Sequence, residues 1–460
     1  MGSRTNRPAA LAAGVLGLSL VLTACGSDNG GDDTASGGSG GGSGADCSAY
    51  EQYTQDFPGI DGKTVSVYTS IVTPEDQPHL DSYAAFEECT GVDVQYEGDK
   101  AFEAQVLVRA KAGNAPDIAY VPQPGLLQQL VATGAAVPAP EQTAANVDEF
   151  FGEDWKGYGS VDGQFYAAPL GANVKSFVWY SPSEFEDSGY EVPTTLDELK
   201  SLTDQMVADG KVPWCAGIAS GEATGWPVTD WMEDMMLRLN GPEVYDQWVN
   251  HEIPFNGPES TAALDAVGEY LKNPEYVNGG YGDVTTIATT TFQDGGLPII
   301  DGACSLHRQA GFYAANWPEG TEVAEDGDVF AFYLPGQTAE DRPVLGGGEF
   351  VLAFDDRPEV QAFQTFLSSD TWANEKAIAT PQGGWVSANS GLEVDNLVSP
   401  IDQLSAEILQ DPNAVFRFDG SDQMPGAVGA DAFWKQATNW ITGQSTQETV
   451  DKIEAAWPAS

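Results

Sequence analysis

Three histidines, His79, His251 and His307, are all that this chain of 460 residues offers, and they stand far apart. A histidine-rich metal site or a serine–histidine–aspartate triad therefore has little to build on. The five cysteines, Cys25, Cys47, Cys89, Cys215 and Cys304, contain no CxxC pair and no cysteine–histidine spacing that suits zinc. Gly37-Gly38-Ser39-Gly40-Gly41 matches a hydrolase nucleophile elbow in letters only, because that motif needs a strand before it and a helix after it. Gly62-Lys63-Thr64 has the ending of a phosphate loop, but Phe57 occupies the place of its first glycine. No dinucleotide fingerprint is present, so neither a metal nor a cofactor is expected. What remains is 69 carboxylates and 12 tryptophans, the stock on which a glycoside hydrolase would draw. With so many acids, the proximity of two of them proves nothing. Gly225-Trp226-Pro227 and Gly383-Gly384-Trp385 set two indoles in loop contexts, where glycine frees the backbone and lets a ring face an opening. Trp231 reads as core.

The elements that must position such groups have ample material. A hydrophobic share of 42% in a chain this long supports a large core and two or three domains' worth of structure. The formal net charge of −50 repels anions, and a phosphate backbone would find no basic patch, so nucleic acid is excluded as a partner. Arg4 and Arg7 followed by an apolar Ala9-to-Leu22 stretch read as an export leader too short for a membrane span. It ends in Leu22-Thr23-Ala24-Cys25, which resembles the lipobox of bacterial lipoproteins. That reading gives a signal peptide over 1–24, lipidation at Cys25 and an extracytoplasmic body held to the cell membrane by acyl chains. Residues 25–46 are a Gly/Ser-rich flexible tether, reaching about 25 Å on average. The other four cysteines suggest two disulfides with three possible pairings, near with near being the expected one.

Beyond the tether, apolar periodicity alternates between two and 3.6 residues. Thr64 to Tyr68, Val92-Val94-Tyr96 and Ile118 to Val121 read as strands. Between and after them, Leu80-Tyr83-Phe86, Phe102-Val106-Ala110 and Leu126-Leu127-Leu130 read as helices. This βα alternation implies an α/β protein with a mainly parallel sheet, whose ligands sit beyond the carboxyl ends of the strands, at the loops beginning with Thr69, Gly98 and Pro122. A long strand is expected from Ser176 to Tyr180. Thr195 is expected to cap the next helix, with Glu198 as its capping-box partner.

Trp179-Tyr180-Ser181-Pro182-Ser183-Glu184-Phe185, leading into Pro193-Thr194-Thr195, resembles the mid-chain signature of the family 1 extracellular solute-binding proteins of sugar ABC importers. Ala223 to Trp231, His307-Arg308-Gln309-Ala310, Phe416 to Asp422 and Met424-Pro425-Gly426 are similar to the α-glucoside-binding branch. The likeness runs from about Lys63 to Trp457. It implies a two-lobed type II periplasmic-binding-protein fold, with hinge strands and a ligand cleft between the lobes. One lobe would hold 47–172 and 331–382, the other 173–330 and 383–460, with crossovers near 172–175, Phe330 and Gly383. That layout keeps Cys47–Cys89 in one lobe and Cys215–Cys304 in the other.

The implied ligand is a neutral α-glucoside disaccharide or oligosaccharide, and the implied partner an ABC permease served by a monomeric receptor. Such a ligand calls for flat aromatic walls and bidentate polar groups. Trp226, Trp385 and Trp434 are the expected walls, and Asp99, Gln123, Arg308, Asp419 and Asp422 the expected hydroxyl partners. Asp99 and Gln123 also follow strands two and three. Asp99 has a competing role as a cap for the helix near Ala101, and Arg308 has one as a bridge to Asp419. Arg417 is at least as suited to structure as to ligand. A secreted glycoside hydrolase acting on α-glucosides is the competing reading. A receptor for another polar solute, or a tethered adhesin, would also carry such a leader; the adhesin suits repeats or sandwich strands, which are absent.

Overall fold

The computed structural model describes residues 46–277 and 282–458. The leader, Cys25 and the Gly/Ser stretch up to residue 45 lie outside the described residues. No helix among the described residues is long and apolar enough to cross a membrane.

Strands Thr64–Thr69 (β1), Asp93–Gly98 (β2) and Ile118–Val121 (β3) pair in parallel, with β1 in the middle. Helices Asp76–Thr90, Phe102–Lys111 and Pro124–Ala132 follow them in turn, as the alternating periods predict. Their inward faces (Tyr83 and Phe86; Phe102 and Val106; Leu127 and Leu130) are fully buried against the sheet. Ser160–Val161 (β4) and Gln164–Phe165 (β5) make a short hairpin leading into Ala167–Val174 (β6). Strand Arg342–Ala353 (β10) pairs antiparallel to β6 and β3 and parallel to Ala414–Phe418 (β11), completing a six-stranded sheet. A second sheet holds Phe177–Tyr180 (β7) between Leu306–Arg308 (β8) and Phe330–Tyr333 (β9), all antiparallel. The chain is thus α/β with two sheets, and it passes from one to the other within two residues, between Val174 and Phe177.

The pairing corrects several local expectations. The strand expected from Ser176 opens at Phe177, because Ser176 instead gives its hydroxyl to Asp234 and accepts the N–H of Leu345. Phe330 is not a crossover: β9 completes the smaller sheet, so the chain returns to the larger one between Tyr333 and Arg342. Residues 414–418, expected with the second lobe, form the edge of the larger sheet. Thr195 caps its helix by accepting the Glu198 N–H, but the Glu198 carboxylate reaches one residue further back, to the N–H and hydroxyl of Thr194.

Disulfides join Cys47 to Cys89 and Cys215 to Cys304. The second closes 89 residues of chain, a loop for which the entropy of cross-linking amounts to about 4.6 kcal/mol. Replacing Cys215 and Cys304 together by serine should lower the unfolding free energy by about that much in urea titration. The Cys47/Cys89 double replacement, which frees a separation of 42, should cost somewhat less.

Candidate functional site

The larger sheet has an opening, and its register shows where. Strand β11 runs along one edge of β10 and stops at Phe418, opposite Gly346. Strand β3 approaches along the same edge from the other end and stops at Val121, opposite Phe350. The two carboxyl ends therefore point at each other, and Gly347, Gly348 and Glu349 have no strand partner on that side. Gln123 follows β3 and Asp422 follows β11. Their side chains meet across the gap, the Gln123 amide donating to Asp422 at 3.4 Å. Two residues chosen from opposite ends of the sequence are neighbours because two strand ends converge.

Beneath this contact lies a buried charge cluster. Lys175, directly after β6, bonds Asp419 and reaches Asp230 at 3.2 Å. Asp419 also accepts the Ser421 hydroxyl and the Asp422 N–H. Asp230 belongs to helix Trp226–Asn240, which is buried on every side from Pro227 to Arg238. A helix bearing Asp230, Glu233, Asp234 and Arg238 tolerates this only because each charge is answered. Arg308 on β8 takes Asp230 at 3.3 Å and Asp234 at 3.0 Å. Arg238 takes Asp234 and the carbonyls of Leu334, Pro335 and Pro343. Glu233 accepts the N–H groups of Gly420 and Ser421.

The cluster spreads the acidities apart. Burial pulls Asp419 up, but Lys175 against it holds its carboxyl down to about 2. Burial and the neighbouring Asp419 charge push Asp422 up to about 8. Burial raises Asp230 to about 6 against the pull of Lys175 and Arg308, and burial with the Asp419 charge lifts Glu233 well above the carboxylate range. Lys175 is raised, because Asp230 and Asp419 outweigh its desolvation. Asp230, Glu233 and Asp419 are close enough to share a metal ion, yet the Lys175 ammonium already occupies the position between two of them.

Aromatic rings border the cluster. Trp226 opens its helix half-buried, with Phe292 at 5.1 Å, Phe312 at 6.1 Å and the Lys175 ammonium 5.9 Å from its ring centroid. Phe312 is 40% exposed, so this aromatic corner reaches solvent. Gly225 before it has φ +114°, and a Cβ there would lie 2.1 Å from the carbonyl oxygen of Trp434. Glycine is what lets the two tryptophan-bearing segments touch. The Trp434 indole N–H is buried without a partner. Trp385 stands at the other end of the opening, beside Glu349 and Gly171. The cavity of about 230 Å³ lined by Trp155, Ile408 and Phe416 lies against the opposite face of the same strands.

The expected site residues thus divide. Gln123, Asp422, Asp419 and Trp226 come together, with Trp434 adjoining. Arg308 is 2% exposed and its guanidinium is committed to Asp230 and Asp234; it neither awaits a hydroxyl nor bridges to Asp419. Asp99 accepts the Ala101 N–H at 2.9 Å and the Tyr68 hydroxyl at 3.0 Å, so its carboxylate holds the turn that leads into the helix Phe102–Lys111, whose N-cap is Ala101. Arg417 holds Asp154 and Asp246. Sequence reasoning missed Lys175, Asp230, Phe292, Phe312 and Glu349. One signal was available: acids at 230, 233 and 234 and an arginine at 238 share a face of an otherwise apolar helix, a pattern that demands buried partners.

Because Asp422 gains proton affinity on folding, the folded state binds its proton more tightly than the unfolded chain between the ordinary value of 3.8 and about 8. Its contribution to stability is fully present below that window and is lost as pH rises through about 8. Unfolding free energy measured against pH should fall across the window in the native chain, and Asp422→Asn should make that fall shallower.

The description "bacterial extracellular solute-binding protein" fits the chain over residues 72–373. The alpha-glucosides-binding periplasmic protein AglE of Rhizobium meliloti (strain 1021) is 37% identical over 412 residues, 86% of this chain and 87% of that one. The osmoprotective compounds-binding protein GgtB of Synechocystis sp. (strain ATCC 27184) is 36% identical over 409 residues, 87% and 95% of the two chains. Among solved structures, the bacterial solute receptor AcbH superposes with a TM-score of 0.70 at 19% identity, covering 86% of this chain and 97% of its own. Maltose-bound MalE3 of T. maritima superposes at 0.59 and 16%, covering 85% and 98%. These two share the fold. The family match and the two relatives set the hydrolase reading aside: the chain belongs to the bacterial extracellular solute-binding proteins.

Proposed function

We propose that this protein is a lipid-anchored extracytoplasmic receptor, monomeric, that captures α-glucoside disaccharides or oligosaccharides and passes them to an ABC permease. The observation that carries the reading is the aromatic corner of Trp226, Phe292 and Phe312 set directly beside the Lys175–Asp419–Asp422–Gln123 chain of polar contacts. A pyranose presents an apolar C–H face and a rim of hydroxyls, and this corner offers one surface for each. The resemblance to AglE supports α-glucosides in particular.

The two lobes of the proposal are built on the two sheets, with Lys175 at the passage between them and Asp419 and Asp230 supplied from either side. A ligand shifts such a pair of lobes toward closure only by touching both, since equal affinity for open and closed forms moves nothing. Gln123 and Asp422 would contribute from the larger sheet and Trp226 from the start of the buried helix that carries Asp230, with Trp385 and Trp434 flanking. Cys25 would carry the lipid.

GgtB is nearly as similar as AglE, which favours a second reading in which the solute is an osmoprotectant. Titration calorimetry against maltose, sucrose, trehalose, palatinose and free polyols separates the two. Binding confined to the glucosides supports the first reading, and preference for a polyol the second. Trp226→Ala should weaken the best ligand by about 2–4 kcal/mol, the effect of removing a central aromatic anchor. An unchanged dissociation constant would remove Trp226 from the site.

A further inference from the structure

Strands β6 and β10 form a ribbon whose two faces differ in kind. On one face Val174 and Gly346, with Ala172 and Gly348, meet Trp155 and Phe416 of the apolar core. On the other, the opposed pairs are Asn173 with Gly347 and Gly171 with Glu349, and Lys175 follows two residues on. Directly opposed residues of antiparallel strands share a face, so Lys175, Asn173, Gly171, Gly347 and Glu349 make one polar lane bare of apolar side chains. From Gly171 to Lys175 it runs about 13 Å, longer than one six-membered ring with its hydroxyls.

The lane holds polar atoms with nothing to bond. The Asn173 side-chain oxygen and the Trp385 indole N–H are both buried without a partner. Glu349 makes no ion pair among the described residues, and no side chain donates to it. A Cβ built on Gly171 would lie 2.8 Å from a Glu349 carboxylate oxygen and 3.1 Å from the Trp385 N–H, so the acceptor and the donor flank the same small space. The Trp385 ring itself is engaged, with the Lys376 ammonium 5.0 Å from its centroid and Trp372 edge-on at 5.5 Å. What Trp385 has left to give is its N–H. A buried donor or acceptor left unmade is costly, and an unpartnered acceptor and an unpartnered donor in one lane, beside a carboxylate with no cation, call for a ligand carrying both donors and acceptors.

We propose that the Gly171 end of this lane is a second sugar subsite, in which the Trp385 N–H donates to, and Glu349 and Asn173 accept from, adjacent hydroxyls of a second ring, while the first ring lies at Trp226. The receptor therefore selects ligands of two units or more over single ones, and Trp385 acts through its edge, not as the stacking wall expected of it. This rests on the sugar-receptor reading above. The Asn173 oxygen and the Trp385 N–H are buried as they stand, and they would meet a ligand when the cleft opens.

Calorimetry with a disaccharide from the panel and with methyl α-D-glucopyranoside tests the subsite. Trp385→Phe keeps a ring and deletes the N–H, and should weaken the disaccharide about 10-fold while leaving the single-unit glucoside unchanged. Glu349→Gln, which preserves shape, should weaken the disaccharide by about 10-fold or more with the same selectivity. Native-like melting of both variants verifies that they fold. Equal loss on both ligands, or no loss on the disaccharide, overturns the subsite while leaving the receptor reading intact. Failure of the native protein to bind any sugar overturns the receptor reading and the subsite with it.

Discussion

The ammonium of Lys175 carries the architecture of the site. It sits where the chain leaves the larger sheet for the smaller one, and it is held by Asp419 from the end of β11 and Asp230 from the buried helix. A lysine withdrawn from water and paired on two sides fixes three separate segments in one geometry. Breaking such a pair leaves an uncompensated charge, at a cost of about 3–5 kcal/mol. The net gain from forming it is smaller, so its contribution is chiefly positional. Around it the charges balance: Lys175, Arg238 and Arg308 face Asp230, Asp234 and Asp419, while Glu233 and Asp422 are driven toward the protonated form. Burial and the neighbouring Asp419 charge favour the protonated forms of Glu233 and Asp422, which eases the excess of five acids over three cations in this interior.

That balance shapes how the chain would meet a neutral solute. A net charge of −50 on the whole molecule gives no attraction to an uncharged sugar, so recognition must come from directed hydrogen bonds and apolar contact. On the proposed reading, the opening between β3 and β11 would supply both. The converging strand ends bring Gln123 and Asp422 together, the missing side chains of Gly171 and Gly347 leave space, and Trp226 with Phe292 and Phe312 closes one end. Each feature follows from register: one residue of slip in β10 would turn Glu349 into the Trp155–Phe416 core and a core position into the lane.

The expected sites that became structural illustrate how the same chemistry serves two ends. Asp99 follows its strand as a ligand residue should, but a carboxylate at the start of a helix finds backbone N–H groups before it finds a solute. Arg308 lies in a stretch similar to known sugar receptors, yet a guanidinium buried next to two aspartates has no donor to spare. The nearest partner engaged each group: a neighbouring backbone N–H and the Tyr68 hydroxyl for Asp99, and aspartates of a distant helix for Arg308.

Alternating periods of two and 3.6 residues with Gly and Pro punctuation were enough to establish the βα order and the α/β class, because both depend on local geometry; the four cysteines after Cys25 left three pairings open, and the structure holds the expected near-with-near one. The mid-chain motifs were enough to indicate the family. The convergence of β3 and β11 was not legible, nor was the place of β9 in the smaller sheet or the burial of Lys175 among acids. These depend on strands more than a hundred residues apart choosing partners and register, and pairing energy is set by the faces that meet, not by either strand alone. The sequence determined which residues were available to hold a solute; tertiary structure decided which of them faced the opening, because only there does each polar atom learn whether another part of the chain has already satisfied it.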